Sequence, residues 1–455
     1  MENTDVLIVG AGVSGLSAAH FLRKMAPGLN VVLLEKSQRV GGAIRSHREQ
    51  GFLAEWGPHG FLDNAPASQE LLQDTELEAE VQKAPLADFH RYLCHGGKLV
   101  QIPQKPLRAL TTPLLSPAAK FRILADLWIR PLAEDQTIGQ WAGRRFGKRV
   151  LPLVDAAISG SFSGDFNRLS IDAVMPGLRQ LEHQYGSVLK GVLSRARQQK
   201  NDPKKGLPAM INFSQGLERV VTVLARDLDI RLQTPVEKLE RTAECWQLAT
   251  REDLFSAREL VMALPVNGSL GLLAALAPPP VERVPVSRIY NVVLGFSDEG
   301  VIPPGFGYLA PECEQRFTLG AMFSSRMFPA RAPAGGVLIE ALVGGRRHPE
   351  RLELDDAEII TRVRQDLAEL LDLPQEPLLA RVLRPEGGIP QLEMDHPAVL
   401  AYRRKLEEQA GLHICGFGWD GIGINDMTRA ARKAAVDIAQ GSRGEEKAEV
   451  KPVYF

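Results

Sequence analysis

The sequence predicts an α/β fold: a dinucleotide-binding βαβ unit, a mixed-sheet second unit and a helical insert. Two glycine-rich turns and one change of character carry that prediction. At the start, the apolar run Val6 to Val9 enters Gly10-x-Gly12-x-x-Gly15, and a second apolar run, Val31 to Leu34, ends on Glu35. Near the end, His413 to Cys415 enter a second turn, Gly416 to Gly423, followed by a helical stretch to about Ala439. Between residues 86 and 205 helical spacing replaces strand-like runs, and the charge balance turns basic.

The 455 residues exceed what one compact core accommodates, so two or three domains are expected. A hydrophobic content of 44% and a charged content of 24% are those of an ordinary globular chain, and a net charge of −1 gives no nucleic-acid signature. Cys94, Cys245, Cys313 and Cys415 are far apart and form no CxxC, which argues for a reducing compartment and against zinc or a redox disulfide. No metal is expected. The N-terminus enters a strand at once and carries no secretory pattern. Leu260 to Val281 is uncharged, but Pro265, Gly268, Gly271 and Pro278 to Pro280 break it. A buried strand followed by a short core helix is expected there, rather than a membrane span.

Taken in order, Val6 to Val9 form a buried parallel strand. Gly10 permits the sharp turn, Gly12 lets backbone approach a pyrophosphate, and Gly15 lets a helix from about Ser14 to Lys24 lie on the sheet. Ala11, Val13 and Ser14 complete a loop whose N–H groups face the phosphates. Glu35 stands where an acid accepts ribose hydroxyls, with Lys36 beside it. Gly41, Gly42 and Ala43, next to Arg45, suit a loop along a second face of the phosphates. A strand from Phe52 then ends in the rigid loop Gly57-Pro58-His59-Gly60.

In the insert, Ser116 and Pro117 start a helix, with Phe121, Leu124, Trp128 and Pro131 on one face. Further helices are expected over about Thr137–Phe146 and Met175–Arg197. From Lys83 to Lys205 there are 20 Lys/Arg against 9 Asp/Glu, concentrated at Arg144, Arg145, Lys148 and Arg149. Two readings stay open: an anionic membrane surface as partner, or a solvated basic face. A loop over Gln198–Pro208 closes the insert, and a flexible tail begins near Gly441.

The order GxGxxG, acid, Arg39-Val-Gly-Gly-x-Ile-Arg-Ser46 and Gly57-Pro-x-Gly60 resembles flavin-dependent protoporphyrinogen oxidases, within the amine-oxidase and phytoene-desaturase group. The resemblance continues through His90-Arg91-Tyr92-Leu93, Ser159 to Asp165 with Leu169-Ser170, Gly216-Leu217-Glu218, Thr234-Pro235-Val236, Gly305 to Leu309, and Ile389-Pro390-Gln391 with His396. It implies a Rossmann-like FAD domain of the glutathione-reductase/p-hydroxybenzoate-hydroxylase type, from residues 1–62, 212–265 and 397–440. Residues 63–85, 206–211 and 266–396 would form the substrate domain, 86–205 the insert and 441–455 the tail.

By the same resemblance FAD is the cofactor, with Val236 flanking the adenine. Gly416, Phe417, Ile422, Gly423 and Ile424 would hold the ring, their helix N-terminus facing a flavin carbonyl. Cys415 lies in the strand before that turn, so the flavin is expected to be bound rather than tethered. The substrate would be a porphyrinogen, protoporphyrinogen IX in heme biosynthesis. It would lose six hydrogens over three flavin cycles, with O2 or a quinone as acceptor. Arg91 would hold a propionate, the Gly160 carbonyl would face pyrrole N–H groups, and Leu309 and Leu319 would line the ring slot. No side chain is assigned as catalytic, because the flavin carries the chemistry.

Coproporphyrinogen III oxidase, polyamine oxidase or carotenoid desaturase, and a flavin-free carrier of prenylated GTPases are the alternatives. A cytoplasmic location is expected, peripheral on the inner face of the cell membrane, and homodimerisation is left open. The chain departs from the family pattern at His59, where many members have arginine, and at Leu392, where tyrosine is common.

Overall fold

The computed structural model describes residues 2–86, 90–103, 111–198, 208–297, 302–374 and 376–442. The loop expected over Gln198–Pro208, except at its ends, and the tail beyond Ser442 lie outside the described residues.

The first sheet is built on the strand Glu2–Val9. It pairs in parallel with Val31–Leu34 on one side and Leu254–Met262 on the other, with Val6 opposite Val31 and Leu7 opposite Leu260. Asp229–Arg231 extends one edge, and Leu412–Ile414 adds a parallel pairing to Leu254–Met262. Val6, Leu7 and Ile8 are fully buried because both faces are covered. Helices Val13–Met25, Glu218–Leu224 and Ile424–Gln440 bury Leu16, Val220 and Ala431 against one face. Helices Val266–Leu273 and His396–Leu406 bury Leu270 and Val399 against the other. The uncharged stretch from Leu260 thus forms a strand and a core helix, as expected. Val236 lies just before the strand Lys238–Arg241.

The second sheet orders its strands 379–383, 289–296, 337–344, 320–322, 307–309, 91–95 and 98–101. Helix Asp356–Ala368 seals one face with Ile359, Val363 and Leu367. The other face receives Phe52 and Ala54 of the first unit against Val293 and Leu338. The hairpin Arg91–Gln101 belongs to this sheet, since Leu309 pairs with Leu93. The sequence-based start of the insert at residue 86 is therefore too early: alternation in a short edge hairpin is weak beside the helical pattern that follows.

The insert is a cluster of helices: Pro117–Leu124, Ile138–Phe146, Leu151–Phe162, Pro176–Tyr185 and Val188–Gln198. The helix expected over Met175–Arg197 is two helices. Gly186, at φ +72°, ends the first, and the Ser187 hydroxyl accepts the Lys190 N–H to start the second. Leu392 is buried here with Phe162, Leu169 and Ile171. Arg145 corrects the reading of a basic surface run: it is fully buried and paired with Asp126 at 2.6 Å and Glu182 at 2.5 Å. Arg144 also bonds Glu182, which leaves Lys148 and Arg149 exposed. Among the described residues no helix is long and apolar enough to cross a membrane.

Candidate cofactor and substrate site

Three surfaces make up the site. The first is the N-terminal turn. Gly10 has φ +103°, and the Gly15 Cα lies so close to the Gly10 carbonyl oxygen that a Cβ would stand 1.9 Å from it. No side chain fits there, so the helix seats directly on the turn. A Cβ on Gly12 would meet no protein atom within 4 Å; it would project into open space over the first turn of Val13–Met25. The Glu35 carboxylate, buried, accepts the Ala11 N–H at 2.8 Å and the Ser37 N–H at 2.9 Å, fixing both loops around it. Each of its oxygens keeps a lone pair for a further donor. Lys36 is exposed beside it. Gly41 donates to the Ala11 carbonyl at 2.8 Å, which lays the Gly41–Ala43 loop along Gly12. Among the described residues the Val236 N–H donates to no protein group, near where Thr234 N–H bonds the Glu35 carbonyl.

The second surface is the C-terminal turn. The Gly416 backbone, at φ +127°, passes the Leu264 carbonyl at a distance that admits no Cβ. Phe417 accepts the Val266 N–H, Ile422 packs on the insert core, and Gly423 caps helix Ile424–Gln440. Val13 and Ile424 share one core cluster, and the helices they begin pack side by side. Two helix N-termini therefore open on the same space, a favourable place for a pyrophosphate and an electron-rich ring. Cys415 is buried, and burial pushes its thiol up to about 12.

The third surface is the open face of the second sheet. One row across it reads Arg91, Gly307, Met322, Glu340 and Val293; the next reads Leu93, Leu309, Gly320, Leu342 and Asn291. Three strand spacings of about 4.8 Å put Arg91 roughly 14 Å from Glu340 along the row. Arg91 is half-buried, its Nε is buried without an acceptor, and no acid pairs with it among the described residues. Burial lowers the pKa of its guanidinium from the ordinary value. Gly160 lies within helix Leu151–Phe162 rather than in a loop, and a Cβ there would strike Leu309 at 2.8 Å. Leu309 and Leu319 are neighbours, Ala310 donating to the Leu319 carbonyl at 3.0 Å. Gly160, Leu309 and Leu319 thus come together, with Arg91 two positions along from Leu93 on the same face.

The loop Gly57-Pro58-His59-Gly60 joins the surfaces. The Ala43 carbonyl stands where a Gly57 Cβ would go, so this loop rests on the Gly41–Ala43 loop. His59 reaches the sheet floor, 3.1 Å from Glu340. Around it lie Glu55, Asn212, Asn291, Ser324 and Arg331, all buried. Sequence reasoning missed this group. Its signal was Glu340, a lone charge in the apolar strand Val337–Gly344. The open cradle at Gly12, the acid at Glu35 and the paired helix ends fit an FAD.

A model of the family described as flavin containing amine oxidoreductase matches residues 13–439. Protoporphyrinogen oxidase 2 of Arabidopsis thaliana is 28% identical over 94% of this chain and 92% of that protein. Coproporphyrinogen III oxidase of Bacillus subtilis is 27% identical over 95% of this chain and 97% of that protein. A crystal structure from Exiguobacterium sp. 255-15, provisionally assigned as a protoporphyrinogen oxidase, superposes with a TM-score of 0.80 at 22% identity, over 97% of this chain and 99% of that one.

Proposed function

The chain belongs to the flavin containing amine oxidoreductase family, and from that premise we propose that it is a porphyrinogen oxidase of heme biosynthesis. When bound, FAD would supply the hydride acceptor, with O2 as the final oxidant. The carrying observation is the floor between Arg91 and Glu340: a broad face thinned by Gly307 and Gly320, bordered by Leu309, and ending in an arginine with a buried, unanswered donor. A flat ring carrying carboxylates matches that combination, because guanidinium takes a carboxylate in two-pronged fashion. An amine substrate would meet an uncompensated cation at Arg91.

In this reading Arg91 anchors a propionate and sets the ring's position along the floor. Leu309 and Leu319 exclude water from its apolar body, and the Gly160 carbonyl, in the last turn of its helix and without an N–H donor from that helix, would face the pyrrole N–H groups. Protoporphyrinogen IX is the preferred substrate. Coproporphyrinogen III is the second reading, favoured by a relative of that name at nearly equal identity. We also infer that the insert meets an anionic membrane surface, since Phe121 and Trp128 are 75% and 77% exposed.

Anaerobic mixing of the FAD-loaded protein with protoporphyrinogen, coproporphyrinogen and spermine tests the proposal. One porphyrinogen should bleach the flavin in a single reductive half-reaction. Bleaching by spermine alone would exclude the porphyrinogen reading.

A further inference from the structure

Between Ile389 and Leu392 the chain touches both the C-terminal cofactor turn and the substrate slot. Ile389 and Pro390 pair with Ser287 and Val286 in a two-stranded sheet, and the Gln391 N–H donates to the Pro285 carbonyl at 2.8 Å. Pro390 packs on the glycine turn: a Cβ on Gly418 would stand 2.6 Å from its ring. Leu392 lies in the insert core, and its carbonyl accepts the Ser170 N–H at 2.9 Å. Gln391, between them, is 1% exposed and reaches the end of helix Leu151–Phe162, which carries Gly160.

A helix leaves its last carbonyls without intrahelical donors. Here they are answered unequally. Ser163, left-handed at φ +47°, donates to the Ser159 carbonyl at 3.1 Å. The Gln391 side-chain amide donates to the Phe162 carbonyl at 3.0 Å and to the Ile389 carbonyl at 3.0 Å. Two carbonyls facing one end of the amide identify that end as the NH2. The Ser163 carbonyl accepts the Ser287 hydroxyl at 2.7 Å and the Arg346 N–H at 2.8 Å. Gly160 and Ser161 are exposed, and among the described residues their carbonyls accept no backbone N–H. The Gln391 amide oxygen is buried without a donor, and a Cβ on Gly164 would stand 2.5 Å from it. An apolar side chain of the same length would fill the position without that cost, so packing alone does not account for an amide here.

We propose that Gln391 is a positioning residue: it ties the helix wall of the substrate slot to the segment seated on the C-terminal cofactor turn, and substrate affinity depends on that tie. This rests on the floor between Arg91 and Glu340 being the substrate's seat. Two residues before the tied carbonyl, Gly160 lies against Leu309 at the border of that floor. With the Phe162 carbonyl released, the last helical turn opens more often, and the slot wall loses its fixed distance from the floor. Pro390 stays seated on Gly418 whether or not residue 391 carries an amide, so the cofactor turn keeps its shape. Gln391 itself acts through the helix and takes no part in the chemical step.

The test compares Gln391→Met with the parent, both as the full FAD-loaded chain. Methionine has nearly the length of glutamine and no N–H to donate. In hydrogen exchange read by mass spectrometry without substrate, peptides over residues 159–163 should exchange about 3- to 10-fold faster, the weight of one neutral hydrogen bond. KM for whichever porphyrinogen the parent oxidises should rise by about the same factor, with kcat and flavin content unchanged. Should Gln391→Met not fold, Ser287→Ala serves. It takes the hydroxyl from the Ser163 carbonyl, and should move exchange and KM in the same direction by about 2- to 5-fold. Unchanged exchange overturns the tie. Faster exchange with an unchanged KM makes Gln391 a support of the helix alone and overturns its role in binding. Loss of flavin assigns it to the cofactor turn and overturns that role equally. A parent that oxidises no porphyrinogen overturns the reading of the floor, and with it the role of Gln391; it is told apart because the parent itself fails.

Discussion

Gly12 and Gly15 lie three residues apart in one turn and should fail in different ways. A valine at position 12 meets open space at an ordinary φ of −75°, so Gly12→Val should fold normally. It should purify colourless, because its methyl groups occupy the volume the pyrophosphate needs. Gly15→Val pushes a Cβ into the Gly10 carbonyl and should lower the melting temperature or prevent folding. Circular dichroism beside the flavin spectrum separates the two; a yellow Gly12→Val would refute the cradle. Arg91 makes the matching claim for the substrate. Arg91→Ala removes no partner from the described structure, so fold and flavin should be unchanged. Turnover efficiency on an acid porphyrinogen should fall about 10- to 100-fold, the cost of a lost charge-assisted bond. A porphyrinogen with esterified side chains should lose much less. Equal losses on both would assign Arg91 to the fold.

Within the insert, stability concentrates in one buried ion cluster. Arg145 bridges Asp126 and Glu182, Arg179 bonds Glu182 at 2.8 Å, and Trp141 donates to it at 2.7 Å. Arg145→Met would leave two carboxylates buried short of a cation, and should cost about 3–5 kcal/mol in urea unfolding. Burial pushes the Glu182 carboxyl up, but the bonds from Trp141, Arg145, Arg179 and Arg144 outweigh it and hold the group at about 2. Its folded pKa lies below the ordinary 4.5, so its stabilisation is complete above that value and is lost as pH falls toward 2. Acid titration followed by near-ultraviolet circular dichroism should show the insert's Trp141 signal lost in that window. A Trp141 environment unchanged down to pH 2 would contradict this account.

At the scale of the molecule, one outer face combines apolar and basic groups. Phe121, Leu124 and Trp128 are exposed on one helix and its continuation, and Val192 and Leu193 are exposed on the helix packed beside it. Arg130, Lys148, Arg149 and Lys190 are exposed in the same insert. Such a face is expected to settle on anionic vesicles, with basic residues drawing it in and aromatics entering the interface. Replacing Phe121 and Trp128 together by Asp should reduce co-sedimentation at least tenfold, since each buried aromatic contributes about 1.5–3 kcal/mol. High salt should weaken binding of the parent. Equal binding to neutral and anionic vesicles would leave the basic residues as a solvated face.

The nucleotide unit was legible in the order of residues alone. Gly10, Gly12, Gly15 and Glu35 lie within one local βαβ unit, where spacing along the chain is spacing in space, so their arrangement follows from short-range geometry. The C-terminal turn was legible for the same reason, and so was the Ser116 cap, whose hydroxyl accepts the Ala119 N–H. Tertiary structure alone decided what depends on distant partners. Arg144 and Arg145 read as a surface run because a one-dimensional charge count does not reveal Asp126 and Glu182 waiting 19 and 37 residues from Arg145. The hairpin at Arg91 joined the second sheet through Gly307, more than two hundred positions away. His59 gained its partner in the same way, from a strand 281 residues along the chain. Burial creates the need for such partners, and only the packed fold decides which residues supply them.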